Sequence, residues 1–205
     1  MKRSKIIILS VILVLLVLWC FRYYQLNDGK LVKHKYKEEQ YKVNEKVEYG
    51  DDVVYGKDDK SPGYAITFIN RRVVDCKKYL QEINKNEVDF EIKLPEKIME
   101  VTVNISNESN DDLSQGVDFY PIWLIGRDWY ETYSAEFTAY ANEIYKDNPD
   151  QAFGIQVKKG KSYKIKIIYP LAKADFSTNT WKNINEEPMW LTITCRPKRK
   201  LICIK

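Results

Sequence analysis

The residues able to do chemistry are few in kind. Histidine occurs once, as His34, in a charged stretch near the N-terminus. A Ser-His-Asp or Cys-His arrangement needs an ordered imidazole inside a folded domain, so hydrolysis by that route is not expected. HExxH, GxSxG, GxGxxG and GxxxxGK[ST] are all absent, which removes the motif-borne routes to zinc-protease, nucleophile-elbow, dinucleotide and P-loop chemistry. Carboxylates remain. Asp118, Asp128, Glu131 and Glu136 fall among aromatic residues, and a glycosidase needs only two carboxyl groups at a set separation. On the rim of a domain such groups are ordinarily solvated. Asn107-Glu108-Ser109-Asn110-Asp111-Asp112 offers oxygens to calcium but misses the EF-hand pattern, and it reads as a polar turn. These residues predict no metal, no cofactor and no enzyme.

The group Trp123, Trp129, Tyr130 and Tyr133 is the candidate binding surface. Exposed, these rings stack on sugars or grip a protein, since aromatic side chains dominate interface hot spots. Buried, they are core, the commoner fate of Trp. Trp181 and Trp190 sit in or beside expected strands and read as core. Cys20, Cys76, Cys195 and Cys203 form no CxxC pair, so no zinc ribbon or thioredoxin-type site is indicated. One bridge from Cys76 to Cys195 or Cys203 is open, against the simpler reading of free thiols.

The elements that must position these residues are mostly strands. Tyr64/Ile66/Phe68, Val101/Val103/Ile105, Phe153/Ile155/Val157, Tyr163/Ile165/Ile167/Tyr169 and Leu191/Ile193/Cys195 recur with period two, the mark of strands with one face on a core. Ser61-Pro62-Gly63, Asn107 to Gly116 and Lys159-Gly160-Lys161-Ser162 supply turns, the last read as a hairpin between two strands. Val117 to Ile125 is more continuously apolar and suits a central strand, with a bulge or edge position at Pro121. Two short helices interrupt the strands, one over Cys76–Ile83 capped by Asp75 and one after Ser134 carrying Phe137, Tyr140, Ala141 and Ile144. The fold class is all-β, a sandwich with short helical insertions.

The chain opens with Lys2, Arg3 and Lys5 before the uncharged run Ile6–Phe21. With Trp19, Tyr23 and Tyr24 at headgroup level and Arg22 snorkelling, this reaches the lower length limit of a spanning helix. A cleaved signal peptide is the alternative, but Leu18-Trp19-Cys20-Phe21-Arg22-Tyr23 is bulky throughout and offers neither a small-residue cleavage site nor a lipobox. The expected layout is a cytoplasmic tail over 1–5, a signal-anchor helix over 6–24, a charged tether over 25–46 and a sandwich over 47–205, with the sandwich outside the cell. The net charge of +4 conceals basic ends and an acidic body, because residues 47–195 carry 25 acidic and 18 basic side chains. An acidic body argues against nucleic acid, while basic ends near a membrane can meet anionic lipid or wall polymer.

Gly63-Tyr-Ala-Ile-Thr-Phe68 followed by Val73-Val-Asp-Cys76 and Tyr79-Leu80, Pro95-Glu-Lys97 leading to Val101-Thr-Val-Asn104, and Phe153-Gly-Ile155 with Gly160, Tyr169-Pro170, Phe176 and Thr180-Trp181 carry a resemblance. Over about residues 45–205 and the anchor, the chain resembles a family of uncharacterised, membrane-anchored or secreted Gram-positive bacterial proteins with immunoglobulin-like (telokin-like) extracellular domains of unknown function. The resemblance implies an immunoglobulin-like sandwich at the cell surface and no activity. The function expected is a membrane-anchored extracellular binding module with a protein partner. The alternatives are a module for carbohydrate or wall polymer and, from another class, a two-carboxylate hydrolase.

Overall fold

The computed structural model describes residues 2–27, 37–53, 60–90, 93–112 and 114–204. It divides into two units, Met1–Lys35 and Tyr36–Lys205. The first contains α1 (Lys2–Asn27), 26 residues long, with Trp19 stacked on Tyr23 one turn away. Side chains of this helix are described over 12–24. Among the described residues no helix is long and apolar enough to cross a membrane.

The second unit holds β1 (Lys37–Tyr41), β2 (Lys46–Glu48), β3 (Tyr64–Asp75), β4 (Lys97–Asn107), β5 (Val117–Asp118), β6 (Leu124–Ile125), β7 (Tyr130–Glu131), β8 (Gly154–Ile155), β9 (Lys161–Leu171), β10 (Met189–Thr194) and β11 (Lys198–Ile204). Three short helices, α2 (Cys76–Glu82), α3 (Ala135–Ala141) and α4 (Thr178–Lys182), join them. The strands form a five-stranded sheet in the order β1-β11-β10-β6-β7, a four-stranded sheet in the order β2-β3-β4-β9, and a β5-β8 ladder. One apolar core lies between the two larger sheets. Val47, Ile66, Phe68, Val101, Val103, Ile105, Ile165, Ile167 and Tyr169 enter it from one sheet, and Leu124, Met189, Leu191, Ile193, Ile202 and Ile204 from the other. The molecule is therefore a β-sandwich, and its outer faces differ. Beyond the four-stranded sheet, Cys76, Tyr79 and Leu80 of α2 and Phe137 of α3 pack on Ile98 and Ile168 in a second apolar cluster.

Both helix caps are made as the sequence indicates. The Asp75 carboxylate accepts from the Lys77 and Lys78 amides, and Ser134 Oγ accepts from the Phe137 amide, satisfying donors that a helix start leaves open. Strand β3 departs from simple alternation. A bulge at Ile69 breaks the β3–β4 register between Phe68 and Asn70, so the core side passes from Tyr64, Ile66 and Phe68 to odd-numbered positions and Val73 still reaches the core. The same shift sends Arg72 outward, where its guanidinium grips buried Glu100 at 3.1 and 2.9 Å. Burial pushes the Glu100 carboxyl up, but Arg72 and Lys166 outweigh it and hold the group below the usual range.

Other readings of the sequence change as well. Charge suggests a tether up to residue 46, but Lys37–Tyr41 forms β1 and pairs in parallel with β11 over five positions. Glu39 meets Lys198 at 3.1 Å and Tyr41 packs on the core, so the acidic residues of this stretch are matched by the basic C-terminal strand. Val117–Ile125 is not one central strand. It breaks into β5 and β6 around Pro121, which cannot supply a ladder N–H. The Lys159–Ser162 turn joins no hairpin, because β8 pairs with β5 while β9 pairs with β4. Phe153 and Tyr163, counted with the core sets, are 59% and 43% exposed. Cys76, Cys195 and Cys203 are free thiols.

The ends of the second unit are joined by a buried ion pair. Lys200 Nζ lies 2.6 Å from Asp52, each side chain only 8% exposed, and it also donates to the carbonyls of Glu48 and Tyr49. Removing one partner leaves a buried charge uncompensated. Asp52→Ala and Lys200→Met should therefore each lower unfolding stability by about 3 kcal/mol, in urea unfolding followed by tryptophan fluorescence. A loss below about 1 kcal/mol in Asp52→Ala alone would show that the carbonyl groups suffice to hold the ammonium.

Candidate functional site

Sheet geometry gathers what the sequence leaves scattered. Tyr130 of β7 is opposite Ile125 of β6, Ile125 is opposite Trp190 of β10, and Trp190 is opposite Cys203 of β11. Directly opposed residues share a face, so these four form one rung across four strands. Their neighbours Leu124, Leu191 and Ile202 enter the core, which fixes the rung on the outer face. Trp123 joins it, its ring centroid 6.2 Å from that of Tyr130 and its indole N–H bonded to the Tyr120 carbonyl at 2.9 Å. Tyr130 is 68% exposed and Tyr120 53%. Within this unit α2 and α3 pack on the four-stranded sheet, not on this one.

Beside the rung runs a groove of about 380 Å³. Trp190, Ile125 and Leu201 form its apolar floor, and Arg127, Arg199 and Glu38 stand around it. Arg199 and Glu38 approach at 3.9 Å, and Arg127 makes no ion pair among the described residues. Beneath the same face, Trp190 Nε1 and Thr192 Oγ1 are shut from solvent without a hydrogen-bond partner, a cost that native structures seldom leave standing.

Of the four candidate aromatics, then, Trp123 and Tyr130 lie on the outer face and the other two do not. Trp129 is 7% exposed and belongs to the core, its ring 5.0 Å from Phe176. The tight turn Gly126–Trp129 closes with the Gly126 amide on the Trp129 carbonyl. A Cβ on Gly126 would come within 2.1 Å of the indole, so only glycine lets the ring fold back under the turn. Tyr133 packs edge-on against Phe119, 6.1 Å between centroids, at the core margin. Trp190, read as core, is instead a member of the outer rung. Its opposition to Ile125 is the signal, and that depends on pairing register, which one strand's alternation does not contain.

The carboxylates do not converge. Asp128 is exposed on the Gly126–Trp129 turn, Glu136 lies in the first turn of α3, and Asp118 lines a different groove, its Oδ1 accepting the Tyr120 amide. Glu131, opposite Leu124 on the inward side of β7, has a partner from outside this set. Burial, and then the charge of Asp175, push its carboxyl up to about 7. The calcium-like oxygens are engaged in their own turn. Asn107 Oδ1 accepts the Asn110 amide, Asn110 Oδ1 accepts the Asp112 amide, and Asp112 Oδ1 accepts the Ser114 amide and hydroxyl. That is the Asx-turn use of these residues.

Glu131 makes a pH prediction with a definite sign. Folded, it holds its proton to about 7, against the ordinary carboxyl value of 4.5, so folding takes up a proton between those limits. The contribution is full below 4.5 and is lost as pH rises towards 7. The urea midpoint of the native chain should fall between pH 5 and pH 8, and Glu131→Gln should flatten that fall. An unchanged slope in the variant would remove Glu131 as its source.

No curated protein matches the chain. Among solved structures it is similar to an uncharacterised β-sandwich protein from Clostridium difficile 630, at 11% identity and a TM-score of 0.40, covering 83% of this chain and 97% of that one. The family described as a domain of unknown function, DUF5028, matches residues 38–200, and the chain belongs to that family.

Proposed function

We propose that the protein is a non-catalytic binding module, held to a membrane by its N-terminal helix with the sandwich outside the cell, and that a protein partner docks on the outer face of β7, β6, β10 and β11. One observation carries the docking surface: the rung Tyr130–Ile125–Trp190–Cys203, with Trp123 beside it, is an aromatic strip on the sheet face turned away from the core. Large rings in contact with water at a sheet's centre are poor economy for an isolated domain and good material for an interface, where Trp, Tyr and Arg concentrate binding energy. Arg127 and Arg199 frame the strip, and Trp190 Nε1 lies beneath it unpaired.

The anchor rests on the uncharged run Ile6–Phe21 within α1. Residues 6–24 of this helix span about 28 Å at 1.5 Å per residue, close to the roughly 30 Å of hydrocarbon, with Arg22 at the interface. The resemblance to membrane-anchored Gram-positive surface proteins with immunoglobulin-like domains supports the same setting. Two facing sheets with loops at both ends are the arrangement by which such sandwiches present recognition surfaces.

Two measurements test the proposal. An impermeant lysine-reactive label on intact cells should modify lysines within 37–204, and protection until lysis would overturn the extracellular placement. Photo-cross-linking from position 123 on the same cells should capture a specific protein. Tyr130→Glu, at a 68% exposed position, should abolish capture by removing about 2 kcal/mol of binding, with an unchanged unfolding midpoint. Absence of a specific adduct, or the same adduct in Tyr130→Glu, would refute the docking face.

A further inference from the structure

The groove lined by Asp118 has a different chemistry from the sheet face. It has a volume of about 850 Å³, within the range of small-molecule and cofactor sites. Its floor is the β5–β8 ladder, and there the backbone lies bare. A Cβ on Gly116 would sit 2.6 Å from the Ile155 carbonyl oxygen, and one on Gly154 would sit 2.6 Å from that of Val117. Glycine at both positions lets the two chains close where a Cβ would meet the opposite backbone.

Around this floor stand planar hydrogen-bonding groups. Asp150, Gln151 and Gln156 line the groove, are exposed, and their side chains make no hydrogen bond among the described residues. With Asp118 they present two carboxylates and two amides, groups that together donate to and accept from neighbouring hydroxyls. Two apolar side chains share the walls, Phe153 at 59% exposure and Ile144 at 47%. The Phe153 backbone is fixed beside β5, its carbonyl accepting the Phe119 amide at 2.8 Å, and its side chain is exposed.

The charge balance selects among ligands. Lys60 is the single cation among the described lining residues, against Asp118 and Asp150. A phosphate- or carboxylate-bearing ligand would meet a site without a positive excess. A cation would find no cluster of three His, Cys, Asp or Glu among the described residues. What remains is an uncharged ligand rich in hydroxyls with one apolar face. We infer that this groove binds a neutral glycan, with one pyranose face stacked on Phe153 and its hydroxyls held by Asp150, Gln151 and Gln156. The site is separate from the aromatic strip and does not depend on it.

The test uses the full chain in a detergent without a sugar headgroup. Cellohexaose, chitohexaose and, as an anionic comparison, polygalacturonate are titrated calorimetrically. At least one neutral hexasaccharide should bind saturably and more tightly than polygalacturonate. Phe153→Ala and Gln156→Ala should each weaken it about tenfold or more, while Trp190→Ala leaves it unchanged. Both altered positions are exposed, and an unchanged urea midpoint will confirm that the fold is intact. Failure of both neutral sugars to bind, preference for polygalacturonate, binding indifferent to Phe153→Ala, or loss of binding in Trp190→Ala would each overturn the inference. The last would move the sugar to the sheet face instead.

Discussion

A sheet has two faces, and a sandwich can bury only one face of each. The central strand β4 shows what this demands. Met99, Val101, Val103 and Ile105 fill the core, while Ile98, Glu100 and Thr102 on the other side are also buried. Apolar side chains there need a second layer, and the chain supplies it with α2 and α3, each started by its own capping side chain. Glu100 is the exception inside that layer and needs Arg72 and Lys166 to remain charged. Neither of these two helices packs on the five-stranded sheet. Its outer face keeps Trp123, Ile125, Tyr130 and Trp190 together in partial contact with water.

How far this was legible follows from the range of each signal. Caps act over three residues, so Asp75 and Ser134 could be read directly. Period-two alternation within one strand is equally local, and it identified Val101, Val103 and Ile105 of β4, Ile165, Ile167 and Tyr169 of β9, and Leu191 and Ile193 of β10, but not the exposure of Tyr163. The bulge at Ile69 is invisible to it, since alternation carries no account of an extra residue. The strand Lys37–Tyr41 is polar in every position but the last, and only its partner explains it: Glu38 and Glu39 lie beside Arg199 and Lys198. The candidate site fails and succeeds for the same reason. Trp129 and Trp190 look alike in sequence, but a glycine three residues away folds one inward and cross-strand register places the other outside.

Polar residues are handled by two distinct devices. In loops, side chains bond to neighbouring amides, as Asn107, Asn110 and Asp112 do in succession, and Asn107 also ties its loop to the Val157 carbonyl at 2.7 Å. In the core, Tyr169 donates to the Ile122 carbonyl at 2.7 Å and Tyr64 to that of Gln115 at 3.0 Å, so large rings anchor irregular segments to regular strands. The loops at β5 and β8 are thereby held in place although their own ladder is only two residues long. A short ladder with glycine on both sides can then form the base of an open groove without collapsing.

The pairing of the first sandwich strand with the last has a mechanical meaning. In a parallel pair, drawing back the beginning of β1 while β11 is held displaces one strand along the other, so all the ladder bonds and the flanking ion pairs resist together. An antiparallel terminal strand drawn from its free end would instead peel away one bond at a time. Tension applied at the N-terminal end of β1 would therefore meet the ladder in its resistant direction, through the strand whose composition least resembles a strand.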